Sequence, residues 1–259
     1  MMYLRPMSEI GVLFSLFLTV ALIYSSVGFG GGSSYLAILA LSGLPFGEVR
    51  FTAMACNIAV VLGNTTLFRR SDWWDGRKYL PFVVAGMPMA FAGAMIPVKE
   101  RSFFILLGFT LLLADLLLWF QPEVKRERPE VAGKKNGLRD WVAGGFIGLL
   151  SGMVGIGGGI FLSPLLFFLR WDKATHIAAT ASLYILANSV AGLAGQAVSG
   201  SASFDPVRLL ILVIAVTIGG QIGVRSSLRW FSPLWVKRIT ALLVCWAGSE
   251  VLWKYFEAV

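Results

Sequence analysis

Two glycine clusters are the residues of this chain best suited to chemistry. Gly28-Phe29-Gly30-Gly31-Gly32 and Gly155-Ile156-Gly157-Gly158-Gly159 repeat one pattern, G-x-G-G-G, 127 residues apart. Successive glycines break a helix and leave backbone N–H groups unpaired. A helix restarting behind each cluster would present its N-terminus there, with a partial positive charge of roughly half an elementary charge. Two such ends aimed at one region would form an anion site from backbone alone. The predicted donors are Gly30, Gly31, Gly32, Ser33 and Ser34 behind the first break, and Gly157, Gly158, Gly159 and Ile160 behind the second. The hydroxyls of Ser33 and Ser34 are expected to be free to donate. Asn57, Asn64, Thr65 and Thr66 follow in the next apolar segment of the first half, and Ser182, Tyr184, Asn188 and Gln196 in its counterpart. Asn57 and Asn188 are the preferred side-chain ligands, and Ser182 joins the candidate set. Any one of these residues is more simply explained as helix-to-helix glue, and one glycine cluster as close packing. Two clusters in register favour a site.

Other chemistries find few residues. Cys56 and Cys245 both lie in apolar segments with no ligand at metal-binding spacing, and His176 is the only histidine. A metal site or a nucleophile–base triad cannot be assembled from that inventory. Asp115 and Glu250 lie within segments but near their ends, where each can reach an interface. The chain is therefore expected to be no enzyme and to hold no cofactor.

The elements that would position the glycines are membrane segments. Hydrophobic residues make up 57% of the 259 and charged residues 14%, with a mean hydropathy of +0.76. A soluble domain carries about a quarter charged residues, so too little polar surface exists here to coat a water-facing globule. Ten apolar segments are predicted: 10–27, 33–44, 51–68, 79–98 and 102–120 in the first half, and 138–154, 160–169, 175–198, 206–224 and 233–253 in the second. Most approach the roughly 20 residues that a spanning helix needs. Segments 33–44 and 160–169 are half that length, and each directly follows a glycine cluster. The first segment lacks a small-residue cleavage pattern and is read as retained, not as a signal peptide. No Lys or Arg is expected deep in any segment.

The repeat continues beyond the glycines, with Thr52-Ala53 and Thr180-Ala181 early in matching segments. The predicted fold is all-α and integral to the membrane. It comprises a first repeat at 1–120, a basic linker at 121–138 and a second repeat at 139–259. Five elements per half is an odd number, so the second repeat enters the membrane inverted. Whether each short helix crosses or forms a re-entrant hairpin is left open by parity. The net charge of +8 fits this topology and not nucleic-acid binding. Sixteen of the 22 Lys and Arg fall in one alternating set of loops, which the positive-inside rule places in the cytoplasm. Seven of nine tryptophans flank those same loops, as an interfacial belt would. The linker carries mixed charges and is expected to be solvated.

The motifs 28–32 and 155–159, Pro164 in the second short helix and Thr180-Ala181-Ser182 resemble the repeated signature of the TauE/SafE sulfite exporter family. The likeness covers nearly the whole chain. It departs at Ala37, where the second half has Pro164, and at Ala179-Thr180, where Gly-Thr is commoner. The resemblance implies a multi-pass transporter of the cytoplasmic membrane that exports sulfite, a sulfonate or a related small anion. Its partners would be that anion and membrane lipid, and a homodimer is compatible with it. The alternatives are a passive anion channel of the same fold and a membrane protein without transport activity.

Overall fold

The computed structural model describes residues 7–26, 28–70, 76–120, 137–169 and 171–226, with 238, 241–242, 245–246 and 248–253 beyond them. Among these residues the structure is helical without strands. The helices are α1 (Met7–Ser25), α2 (Gly32–Leu41), α3 (Phe46–Arg70), α4 (Gly76–Met95), α5 (Glu100–Phe120), α6 (Gly137–Val154), α7 (Gly159–Phe168), α8 (Ala174–Val198) and α9 (Pro206–Ser226). The two short helices are 10 residues each and the helices that follow them are 25 each. The order of lengths predicted for the two halves is thus present. The third segment starts five residues earlier than expected, at Phe46, which brings Arg50 into α3. Most of the linker, and most of the tenth segment before Gly248, lie outside the described residues.

The outward surface is apolar. On α9, Val207, Leu210, Ile214, Ile218 and Ile222 recur at three- and four-residue spacing and stand exposed, while Leu212, Ala215, Val216, Gly219 and Gly223 are buried. Phe109, Leu113, Leu116 and Trp119 do the same on α5. A water-soluble helix exposes its polar face. Here the exposed face is the greasier one, which only lipid can solvate. By length and composition α3, α8 and α9 are able to cross a membrane.

Small residues let the backbones touch. Gly144, Gly148 and Gly152 form one stripe of α6, and they face Phe82, Gly86 and Ala90 of α4. A methyl group at Gly148 would lie 2.4 Å from the Gly86 carbonyl oxygen. On the other side of the molecule, Gly219 and Gly223 of α9 lie equally close to the carbonyls of Leu18 and Leu22 on α1. Lipid gives helices no hydrophobic reason to associate, so this approach supplies dispersion contact instead. The packing exchanges the halves: α6 lies on α4, α1 lies on α9, and α3 packs on α8 between them.

Candidate functional site at the paired glycine breaks

Each break owes its geometry to a residue type. Gly31 is the N-cap of α2 with φ +81°, and Gly158 is the N-cap of α7 with φ +85°. That left-handed conformation is nearly free for glycine and costs a residue with a Cβ about 1–2 kcal/mol. No side chain caps either helix. The first backbone bond of α2 is donated by Tyr35 N–H to Gly31 O, and α7 opens with Phe161 and Leu162 donating to Gly158 O. The N–H groups of Gly32, Ser33, Ser34, Gly159 and Ile160 precede those bonds and have no intrahelical acceptor.

The two breaks meet. A Cβ on Gly32 would fall 2.6 Å from the carbonyl oxygen of Ile156, inside the second cluster. Asn57 of α3 sits in the seam. Its Nδ2 donates to Ile156 O at 3.1 Å, and its carboxamide abuts Gly30, Gly32 and Gly157. Its Oδ1 is buried and has no hydrogen-bond partner. The matching contacts at the first glycine of each cluster are exchanged between halves. Gly28 faces Ala178 of α8, and Gly155 faces Arg50 of α3, with both glycines at positive φ.

The other predicted residues divide. Ser33 is buried with an unpartnered hydroxyl, as expected. Ser34 is not free: its hydroxyl is 2.7 Å from the Tyr24 hydroxyl. Ser182 donates to the carbonyl of Gly28 and so fastens α8 to the first break. Asn188 is fully buried beside Gly158, and neither atom of its carboxamide makes a well-formed hydrogen bond. Gly159 packs on Ile185, away from Asn57, and Ile160 is half-buried. Asn64 is a tether: its Oδ1 accepts from Ser25 and its Nδ2 donates to Phe29 O.

Three buried polar residues outside the predicted set bear on the site. Ser189 of α8 is buried with a free hydroxyl beside Gly157. Ser163 of α7 is also buried and unpartnered. Arg50 is the third: the sequence places it in the loop 45–50, and the structure makes it a buried residue near the start of α3. It is 2% exposed, with Nη2 donating to Gly152 O at 3.0 Å and Ala94 O at 3.3 Å. A heptad signal was available. Arg50, Asn57 and Asn64 recur every seven residues on α3, and Ser182, Ser189 and Gln196 do so on α8. All six are buried. Seven residues make nearly two helical turns, so each set forms one stripe about 21 Å long.

Peripheral residues remain peripheral. His176 stands 3.0 Å from Asp172 in the first turn of α8, and Glu250 is exposed. Among the described residues no group of three His, Cys, Asp or Glu is placed to hold a metal ion. A cavity of about 250 Å³ lies between the C-terminal turns of α3 and α9, lined by Gly63, Thr66, Leu67, Gln221, Val224 and Arg225.

Comparison with known proteins places the chain in a family. Residues 13–251 match the family described as Sulfite exporter TauE/SafE. The chain is also similar to "Probable membrane transporter protein y4hK" of Sinorhizobium fredii (strain NBRC 101917 / NGR234). The two are 33% identical over 238 residues, covering 92% of this chain and 96% of that one. No solved structure matches. A family match over so much of an apolar, glycine-broken helical chain fixes its membership: the protein belongs to the sulfite exporter TauE/SafE family of membrane transporters.

Proposed function

We propose that the protein is a secondary transporter exporting sulfite or a related small sulfur-containing anion, such as a sulfonate, across the cytoplasmic membrane. The observation that carries this reading is the meeting of the two glycine breaks at Asn57. Uncapped N-termini of α2 and α7 lie on either side of that seam and favour negative charge. The hydroxyls of Ser33 and Ser189 are buried without partners, and the carboxamide of Asn188 is buried beside Gly158 without a well-formed hydrogen bond. The anion would bind to Gly30, Gly31, Gly32, Ser33 and Ser34 on one side, and to Gly157, Gly158, Gly159, Ile160 and Asn188 on the other. Asn57 would be shared, and Ser182 would hold the first break in shape.

In this reading the chain is multi-pass, and residues 1–120 and 139–259 are inverted repeats joined by the linker 121–138. The exchanged contacts at Gly28 and Gly155, and the pairing of α1 with α9 and α6 with α4, are what a two-fold relation between halves would produce. Such a relation permits two alternative packings of similar energy, which alternating access requires. The test is uptake by proteoliposomes holding the purified protein, comparing sulfite, sulfate, thiosulfate and a sulfonate with and without a pH gradient. Saturable, selective flux is the expected result. Flux without saturation or selectivity would make the protein a passive channel, and no flux from folded protein would refute transport of these anions.

A further inference from the structure

Arg50 is the one buried cation described within the helices, and the mechanism above makes no use of it. Its side chain runs from the N-terminal part of α3 along Gly155, the opening glycine of the second break. The guanidinium lies between the last turns of α4 and α6, where Nη2 reaches Ala94 O and Gly152 O. Its centre stands 5.8 Å from the ring of Phe103. Nε is buried without a partner, and no carboxylate pairs with the group among the described residues. The neighbouring Glu48 is already engaged by Arg208.

Bridging two carbonyls does not require a cation. A neutral amide would supply the same donors without the cost of holding a full charge out of water. The helix C-termini of α4 and α6 contribute only partial negative charge. Packing does not demand arginine either, because the equivalent contact in the other half, at Gly28, is made by apolar groups, the methyl group of Ala178 and the ring of Phe68. One half therefore carries a positive charge at its break that the other lacks. Charged groups kept inside a membrane protein face a pathway or a partner. The partner that this chain's anion site would supply is mobile.

We propose that Arg50 is an anion-binding residue of the transporter: its guanidinium is the counter-charge for the oxyanion at the second glycine break. This rests on the reading that the breaks form the anion site. The carbonyls of Ala94 and Gly152 seat the guanidinium, and its Nε edge is left for an oxygen of the anion. Guanidinium donors suit oxyanions because they are fixed in one plane and remain charged. The site is then asymmetric, with backbone and hydroxyl donors at the first break and a full charge at the second.

The test uses Arg50→Gln and Arg50→Lys in the full-length protein, with two readouts. The first is the half-saturation concentration for sulfite flux in proteoliposomes. The second is the rise in thermal unfolding temperature that sulfite, sulfate, thiosulfate or a sulfonate causes in detergent. Arg50→Gln keeps a donor for the carbonyls and removes the charge. It is expected to raise the half-saturation concentration about ten- to a hundredfold, as loss of a charged hydrogen bond does, and to abolish the anion-induced stabilisation. Arg50→Lys should recover part of both. An unchanged half-saturation in Arg50→Gln, with flux reduced only in proportion to folded protein, would make Arg50 a structural clamp and overturn the proposal. If the wild type shows no flux yet an oxyanion stabilises it and not Arg50→Gln, Arg50 stands while the transport reading falls. If no oxyanion stabilises the wild type, the proposal for Arg50 falls as well.

Discussion

Replacing Asn57 by aspartate separates the charge of the site from its packing. Asn57 is fully buried, and its Nδ2 satisfies the Ile156 carbonyl at 3.1 Å. Asn57→Ala removes that bond and leaves the carbonyl unpaired, costing about 1–3 kcal/mol of stability. Asn57→Asp is nearly isosteric but sets a carboxylate oxygen against the same carbonyl. It also places a negative charge in the seam between the uncapped ends of α2 and α7. For an anion held about 4 Å away at an effective dielectric constant near 20, the repulsion is about 4 kcal/mol. That corresponds to roughly a thousandfold loss of affinity. The expected order is therefore wild type, then Asn57→Ala with reduced but measurable sulfite flux, then Asn57→Asp with none at concentrations that saturate the wild type. Flux in proteoliposomes gives the order, and thermal unfolding in detergent confirms that both variants are folded. If Asn57→Asp transports with the half-saturation of Asn57→Ala, no anion passes near this side chain and the site is misplaced.

Glycine substitutions should sort by what a new Cβ meets. At Gly152 it would lie 2.0 Å from the backbone oxygen of Ala90, so Gly152→Ala must force α6 from α4 and should cost about 1–3 kcal/mol in unfolding measurements. At Gly63 it would meet the end of the Gln221 side chain at 2.1 Å, which can swing aside, so Gly63→Ala should unfold within a degree or two of wild type. Tyr184→Phe removes a buried hydroxyl that donates to Gly144 O at 2.5 Å. It should destabilise by about 1 kcal/mol, read as a fall of about 2–4 °C in unfolding temperature. Glu48 and Arg208 form an ion pair between α3 and α9, with side-chain exposures of 11% and 16%. A double-mutant cycle with Glu48→Gln and Arg208→Gln should give a coupling of about 1 kcal/mol or more, above that of surface pairs. A coupling near zero would show that the pair does not join the two helices energetically.

The sequence by itself determined the elements and where they break. Composition called for lipid-facing helices, and the duplicated G-x-G-G-G placed both half-helices to within a residue of their observed starts. These features are local: a glycine at positive φ and a ten-residue apolar run need no distant partner to be recognised. Tertiary structure alone decided which polar groups are satisfied. Ser33 and Ser34 are adjacent and chemically alike, yet only Ser34 finds a hydroxyl, that of Tyr24 on α1. Asn57 and Asn64 belong to one stripe, yet one lies between the two breaks and the other ties Ser25 to Phe29. Arg50 reads in sequence as a loop residue beside Pro45 and Gly47. It becomes a buried cation because α3 begins earlier than hydropathy suggests and because α4 and α6 end against it. A side chain's partners in a helical membrane protein come from other helices dozens of residues away, and only their packing assigns them.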